Sequence, residues 1–139
     1  MEGAWAFFSA PSNLDEITPP DVGFETISGA DEPMFAGQII VHKLKILPMV
    51  RVRWVTEITH VVPGKMFIDE QRFGPYKFWH HRHEFEPTEN GHVKMTDTVH
   101  YSVGKWIAGD IAHKFFVRRQ LDKIFDHRRK VLDEYFVKL

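Results

Sequence analysis

The stretch that decides the fold reads HVKMTDTVHYSV and covers residues 92–103. All of its even-numbered positions are polar, and such a period of two is typical of a strand with one face toward a core. After Gly104 the period changes, because apolar side chains recur at helical spacing from Ile111 to Tyr135. We therefore predict a half-buried strand followed by a helix over about 110–137. At 1.5 Å per residue this helix would run roughly 42 Å, enough to cross a whole sheet.

Upstream of residue 92, β-branched and aromatic runs alternate with short Gly and Pro signals from Phe24 onward. The short separators favour hairpins, and hence an antiparallel meander. The predicted strands cover 24–29, 37–46, 50–62, 66–73, 78–86 and 92–103. Before them we predict two short helices over 2–9 and 13–17, the second opened by an Asn13/Glu16 capping box and ended by prolines. The predicted fold class is α+β, with a curved antiparallel sheet wrapped around a long C-terminal helix under a lid of two short helices.

Composition supports one domain over residues 1–139, because hydrophobic residues at 43% and charged residues at 27% are ordinary globular values. The aromatic content of 14% is more than a core of this size needs. Large flat side chains often line apolar pockets, although a simply aromatic core is the alternative. Composition therefore favours a pocket without requiring one.

Several classes of protein are excluded or disfavoured. The chain has no cysteine, which excludes disulfides, thiolate catalysis and zinc sites built on cysteine. A net charge of -1 argues against a general nucleic-acid binder. The start lacks a basic region and a cleavable apolar run, and no stretch approaches the roughly 20 apolar residues that span a bilayer. We expect a cytoplasmic protein without stable membrane insertion.

Alternation also predicts which strand residues face inward. In the last strand the inward residues are Val93, Met95, Asp97, Val99, Tyr101 and Val103. In 78–86 they are Trp79, His81, His83 and Phe85. In 66–73 they are Phe67, Asp69, Gln71 and Phe73, although Met66 and Ile68 compete for the inward face of that strand. With loops over 74–78 and 86–92, Gln71, His81 and Asp97 would lie side by side, and His83 would lie between Asp69 and Met95. A two-residue slip would keep these faces but change the neighbours.

The inward polar residues have three interpretations. They can satisfy one another as a structural network, because buried polar groups need partners. They can orient a ligand, with Asp97 and His81 forming a carboxylate-histidine pair suited to acid-base chemistry. The His81-x-His83 pair can also hold a metal with a nearby carboxylate, but this pattern is common and lacks specific flanking spacing. We predict no metal and no other cofactor.

A curved sheet and a straight helix cannot stay in contact along their whole length, so we expect a cavity of roughly 300 to 1,000 Å³ between them. Phe7 and Phe8 of the lid would close one end. The predicted ligand-binding residues are Trp54, Phe67, Asp69, Gln71, Phe73, Trp79, His81, His83, Phe85, Met95, Asp97, Val99, Tyr101, Ile111, Phe115 and Leu121.

Five segments resemble the SRPBCC ligand-binding superfamily, in particular a bacterial branch often described as cell-division-inhibitor-like. They are AWAFFS at 4–9, NLDEITPP at 13–20, WVTEI at 54–58, DEQRFGPY at 69–76 and WHH at 79–81. The resemblance implies a START-like or pollen-allergen-like helix-grip fold with a cavity. It implies little about chemistry, because the superfamily includes lipid carriers, hormone receptors, polyketide cyclases and dioxygenase subunits.

Members of this superfamily usually begin with a strand before the AWAFF helix, whereas only three residues precede it here. We therefore expect the usual first strand to be missing. A truncated gene, a shortened chain or a partner that supplies the edge can each explain this. Because open edges are a liability, we expect the edge to be covered by loops or by a second copy in a homodimer.

Three functions compete. The first is noncatalytic binding of a small hydrophobic molecule or lipid, and the second is a polyketide cyclase- or dehydratase-like enzyme in which His81 and Asp97 move protons. The third is an interaction protein that uses the basic face of the C-terminal helix, which we otherwise interpret as solvated. That face carries Lys114, Arg118, Arg119, Lys123, Arg129 and Lys130.

Overall fold

The computed structural model describes residues 2–47, 49–103 and 110–137, and the side chains of 46–47, 110–116 and 137 lie outside this description. Helix α1 (Glu2–Phe8) is followed by two 3-10 turns, Pro11–Leu14 and Pro20–Val22. The strands are β1 (Glu25–Ser28), β2 (Ile39–Leu47), β3 (Val50–Val62), β4 (Met66–Phe73), β5 (Tyr76–Pro87) and β6 (Val93–Val103), and helix α2 (Asp110–Val137) closes the chain. The fold is α+β, and the six predicted strands and the long helix are confirmed.

The strands form one antiparallel sheet in the order β1-β2-β3-β4-β5-β6. This order is the meander that the short separators predicted. Among the described residues the sheet is open, with β1 and β6 at its edges.

The second lid helix predicted over 13–17 is replaced by a 3-10 turn that begins earlier, at Pro11. Proline is favoured at the first helical position because its φ is already set and its missing N–H is not needed there. The predicted capping box is therefore wrong. The Asn13 side-chain Nδ2 instead donates to the carbonyl of Phe7 at 2.9 Å, which ties the turn to the end of α1.

The predicted pairing across β4, β5 and β6 is also wrong, by two residues at each step. Asp69 lies opposite His81, and Asp97 lies opposite His83. The physical reason is turn length: β4 ends at Phe73 and β5 already begins at Tyr76, so the linker is two residues instead of five. A two-residue slip keeps every side chain on its face, so the inward sets survive while their neighbours change.

A bulge at the end of β4 changes one of these faces. Phe73 pairs with Val55 and Gln71 with Thr56, which leaves Arg72 as the extra residue. An extra residue reverses the alternation beyond it. Phe73 therefore points away from the core, and 64% of its surface is exposed.

Helix α2 faces the inner side of the sheet. The Phe125 ring meets the His81 ring edge-on at 5.8 Å, and Val117 is buried. Near the end of α2, Tyr135 and Phe136 contact Phe7 of the lid, with ring centroids 4.9 and 5.8 Å away. The basic residues predicted on the outer face of α2 are exposed wherever their side chains are described, as expected for a solvated face; these are Arg118, Arg119, Lys123, Arg129 and Lys130. Within the described ranges, no helix has the length and apolar character needed to cross a bilayer.

Candidate ligand cavity and His-Asp cluster

A cavity of about 500 Å³ lies between the inner face of the sheet and α2, within the predicted size range. Its walls are mostly apolar and come from three directions. The sheet contributes Ile40, Trp54, Ile58, Phe67 and Trp79, the helix contributes Val117, Leu121, Ile124 and Phe125, and the lid contributes Phe7, Phe8, Leu14 and Ile17. The predicted closure by Phe7 and Phe8 is thus present. An apolar chamber with a few polar groups is the usual form of a small-molecule site.

The cavity brings together about half of the predicted ligand-binding residues. Those that line it are Trp54, Phe67, Asp69, Trp79, His81, His83 and Leu121. The side chains of Ile111 and Phe115 lie outside the described part of the chain. The remaining seven do not line it.

The residues that do not line the cavity have separate reasons. Phe73 is turned outward by the bulge, and Gln71 bridges the backbone N–H and C=O of Tyr76, at 3.2 and 2.7 Å, so that it holds the β4–β5 turn. Phe85 is buried, but it packs against Trp5, Phe8 and Phe67. Met95, Asp97, Val99 and Tyr101 belong to the edge strand β6, of which Val103 alone among the described residues lines the cavity.

The polar end of the cavity is formed by the His-Asp cluster, which we define as Asp69, His81, His83 and Asp97. The two histidines alternate on the inner face of β5 and are 5% and 6% exposed. Asp69 comes from β4 and Asp97 from β6, so the carboxylates flank the histidines from both neighbouring strands. The backbone partners of Gln71 and Asp97 differ from the prediction, but the predicted carboxylate-histidine pair is present, with Asp97 Oδ1 3.1 Å from His81 Nε2.

Every ring nitrogen of the cluster lies close to a carboxylate oxygen. On the Asp69 side, Oδ2 is 3.4 Å from His81 Nδ1 and 2.9 Å from His83 Nε2. On the Asp97 side, Oδ1 is 3.1 Å from His81 Nε2 and 2.8 Å from His83 Nδ1. The last contact is short but is not aligned as a hydrogen bond, and His83 Nδ1 has no hydrogen-bond partner.

The cluster has four contacts between a ring nitrogen and a carboxylate oxygen, but two neutral histidines carry only two N–H protons. A neutral imidazole has one N–H, so two of them donate only twice, whereas a carboxylate can only accept. A lone pair facing a carboxylate is repulsive, and buried polar groups normally find partners. The arrangement therefore requires further positive charge between the rings and the carboxylates, supplied by protons or by a cation.

The pKa values of the cluster reflect this competition. Burial alone would raise the pKa of Asp69 and of Asp97, but the adjacent histidines outweigh it and lower both. Burial lowers the pKa of His81, and the charge of His83 adds to this against the opposing effect of the carboxylates. Burial would lower the pKa of His83, but the hydrogen bond with Asp69 and the close contact with the Asp97 carboxylate outweigh burial and raise it. In the absence of any other cation, His83 is the proton carrier of the cluster.

Arg128 lines the same end of the cavity, one turn of α2 beyond Ile124. Burial lowers the pKa of its guanidinium, and the charges of Asp97 and Asp69 partly offset this. Its Nε is buried and has no hydrogen-bond partner, while the guanidinium lies 5.4 Å from the centre of the Phe125 ring. An arginine left with an unused donor at a cavity wall is suited to hold a ligand acceptor.

Sequence reasoning missed part of the wall. His42 and Ile40 of β2, Thr56 and Ile58 of β3, and Arg128 all line the cavity. Alternation in β2 could have identified the first two, because Gln38, Ile40 and His42 are buried at every second position. Arg128 was not among the predicted ligand-binding residues.

A protein-family model described as "Domain of unknown function (DUF8410)" matches residues 9–136. The chain belongs to the DUF8410 family. No match was found among curated proteins or among solved structures. The DUF8410 match includes all six strands and nearly all of α2, so the His-Asp cluster and the sheet and helix walls of the cavity lie within the family domain, whereas the lid residues Phe7 and Phe8 precede it.

Proposed function

We propose that this DUF8410 domain binds a small, largely apolar molecule, such as a lipid or a hydrophobic metabolite, in the cavity between the sheet and α2. The observation that carries the proposal is the 500 Å³ chamber itself, whose apolar walls end in one polar group of residues. Protein interiors are normally packed to the density of organic crystals. A chamber of this size therefore costs van der Waals contacts unless a ligand fills it.

The architecture supports this proposal. A lid of short elements, an antiparallel meander and a long C-terminal helix follow one another in the order of the helix-grip fold that the SRPBCC resemblance implies. We assign the domain to that fold. In this fold the helix separates from the sheet beneath the lid, and the cavity lies in the space between them.

The polar end gives the ligand an orientation. Arg128 offers an unused Nε–H donor at the end of the chamber where the His-Asp cluster lies. Polar groups placed at one end of an apolar chamber fix the direction in which an amphipathic ligand enters. We propose that the ligand carries an oxygen acceptor, such as a carboxylate or a carbonyl, at the end that faces Arg128.

A displacement assay tests this function. An environment-sensitive dye is titrated into the full chain and then displaced with medium-chain fatty acids and flavonoids. The Leu121→Trp variant places a large side chain in the chamber and should abolish dye binding, whereas Glu134→Trp adds the same side chain at an exposed position of α2. If no ligand binds below about 100 μM, roughly 5.5 kcal/mol, or if both variants behave alike, the proposal fails.

The cyclase- or dehydratase-like alternative has one specific observation in its favour. His81 lines the cavity, and its Nε2 lies 3.1 Å from Asp97 Oδ1, which is the pairing that acid-base chemistry uses. Against it, Asp97 lies behind the wall, and both nitrogens of His81 already face carboxylates. Turnover of a poly-ketone substrate that falls in His81→Gln while dye binding persists would favour the enzyme over the binder.

A further inference from the structure

The inner half of the His-Asp cluster has the form of a metal site. Asp69, His81 and His83 each present one ligand atom, and these atoms all lie within 4.8 Å of one another. All three residues line the cavity, so their shared centre faces its interior. We infer that they bind a divalent transition-metal cation, a role that goes beyond the proposed ligand binding and does not depend on it.

The separations between the ligand atoms agree with coordination of one ion. Ligands at about 2.0 to 2.2 Å from a metal lie about 3.0 Å apart in an octahedron and about 3.4 Å apart in a tetrahedron. Asp69 Oδ2 is 2.9 Å from His83 Nε2 and 3.4 Å from His81 Nδ1. Small adjustments of these side chains would centre an ion between them.

The surrounding groups match the second layer of contacts that metal ligands usually have. Asp97 Oδ1 faces the outer nitrogens of both histidines, at 2.8 and 3.1 Å. The Trp79 Nε1 donates to the other Asp69 oxygen, Oδ1, at 3.3 Å and leaves Oδ2 for the ion. Histidines that bind metals almost always give their second N–H to a carboxylate or carbonyl, which sets the ring orientation.

A cation at this centre also removes the shortage of protons. With the inner nitrogens bound to the ion, each neutral imidazole keeps one N–H, and both of these face Asp97. His83 Nδ1, which otherwise has no hydrogen-bond partner, then donates to Asp97 after a slight rotation. Two carboxylates neutralise the two charges of the ion, so every polar atom of the cluster is satisfied.

The donor set indicates which metals fit. Two imidazole nitrogens and one carboxylate oxygen suit Zn²⁺, Fe²⁺ or Co²⁺ rather than Mg²⁺ or Ca²⁺, which prefer oxygen ligands. Three protein ligands leave at least one position open, on the side of the cavity. Arg128 adds a positive charge at the same end, so an anionic group of a cavity ligand would complete the shell. In the sequence, a metal at the His81-x-His83 pair was an unspecific interpretation and we predicted none; the strand pairing places Asp69 as the third ligand and Asp97 as the outer carboxylate.

The test uses the full chain, stripped with EDTA, and titrates it with Co²⁺ and then Zn²⁺. We expect one Co²⁺ per chain, a visible d-d absorption band, and loss of that band when Zn²⁺ replaces the ion. Calorimetry gives the stoichiometry and the affinity independently of the spectrum.

Three variants and one control locate the site. Asp69→Asn and His83→Gln should weaken binding at least 100-fold, and Asp97→Asn should weaken it by about 10- to 100-fold, through ring orientation. His80→Gln is the matched control, because His80 is on the opposite face of β5. Circular dichroism checks the fold of each variant. If Asp69→Asn or His83→Gln is unfolded, the metal affinity of Asp97→Asn compared with that of His80→Gln tests the inference. Absence of saturable one-to-one binding in the wild type, or an equal loss in His80→Gln, overturns the inference.

Discussion

The sharpest test of the folded structure concerns His42, which lies in β2 beside the cavity and is 3% exposed. Its ring packs 4.6 Å from the ring of Phe24, and its Nδ1 is 3.1 Å from the hydroxyl of Thr26. Burial lowers the pKa of His42 from 6.5 to about 4, while the charges of Asp15 and Asp69 oppose the shift only in part. The folded protein therefore keeps this histidine neutral where the unfolded chain would protonate it.

The sign and size of the effect follow from linkage. Between pH 6.5 and pH 4 the unfolded state binds more protons at this site than the folded state does, so protonation favours unfolding. The contribution of His42 to stability is intact above its unfolded pKa and is lost as the pH falls toward 4. From pH 7 to pH 5 the loss is about 2 kcal/mol, and it approaches about 3.4 kcal/mol below pH 4.

The assay compares wild type with His42→Leu, a neutral and apolar replacement, by urea unfolding at pH 7 and pH 5 with EDTA present. Other groups titrate over this range, but they do so in both proteins, so the difference between the two pH dependences reports His42. We expect the variant to lose about 2 kcal/mol less than wild type does on acidification. Equal losses in the two proteins would refute a neutral, buried His42.

Three further predictions test other parts of the structure. Asp97→Asn should lower the free energy of unfolding by about 1 to 3 kcal/mol in EDTA, because a buried charged hydrogen bond is lost, and an unchanged urea midpoint would contradict its contacts with both histidines. Gly29→Ala should lower the free energy of unfolding by about 1 to 3 kcal/mol more than Gly37→Ala does. Both glycines have positive φ, but only at Gly29 would a Cβ meet the Ile39 carbonyl oxygen, at 2.0 Å. Equal unfolding midpoints for the two variants would refute this. The β6 edge should be covered by a second copy, so light scattering should report a dimer mass, and a monomer at all concentrations would count against it.

Much of the fold could be predicted because the signals involved are local. The period of two in β6 and the helical period of α2 each result from the geometry of a single element, and their predicted bounds agree with the structure to within a residue. The inward set of β5 was correct throughout, since Trp79, His81, His83 and Phe85 are all buried. A chamber under the lid followed from the same reasoning about element lengths.

The site was harder to predict because it depends on pairing between strands. Phe73 was assigned inward by alternation, but the extra residue at Arg72 reverses the face beyond it. Gln71 was expected beside His81, yet the two-residue turn places Asp69 there instead. Bulges and turn lengths are set by packing across the whole sheet, so a single strand does not reveal them.

The sequence by itself determined the order of the six strands and the long helix, the buried face of β5 and an aromatic excess that favours a pocket. These features depend on the spacing of apolar and polar residues along the chain, which the sequence gives directly. Only the tertiary structure decided that Asp69 and Asp97 flank His81 and His83 from both sides and that Arg128 reaches the same end of the cavity. Register and side-chain distance are fixed by contacts between residues far apart in sequence, and a slip that preserves every face still changes which nitrogen meets which oxygen.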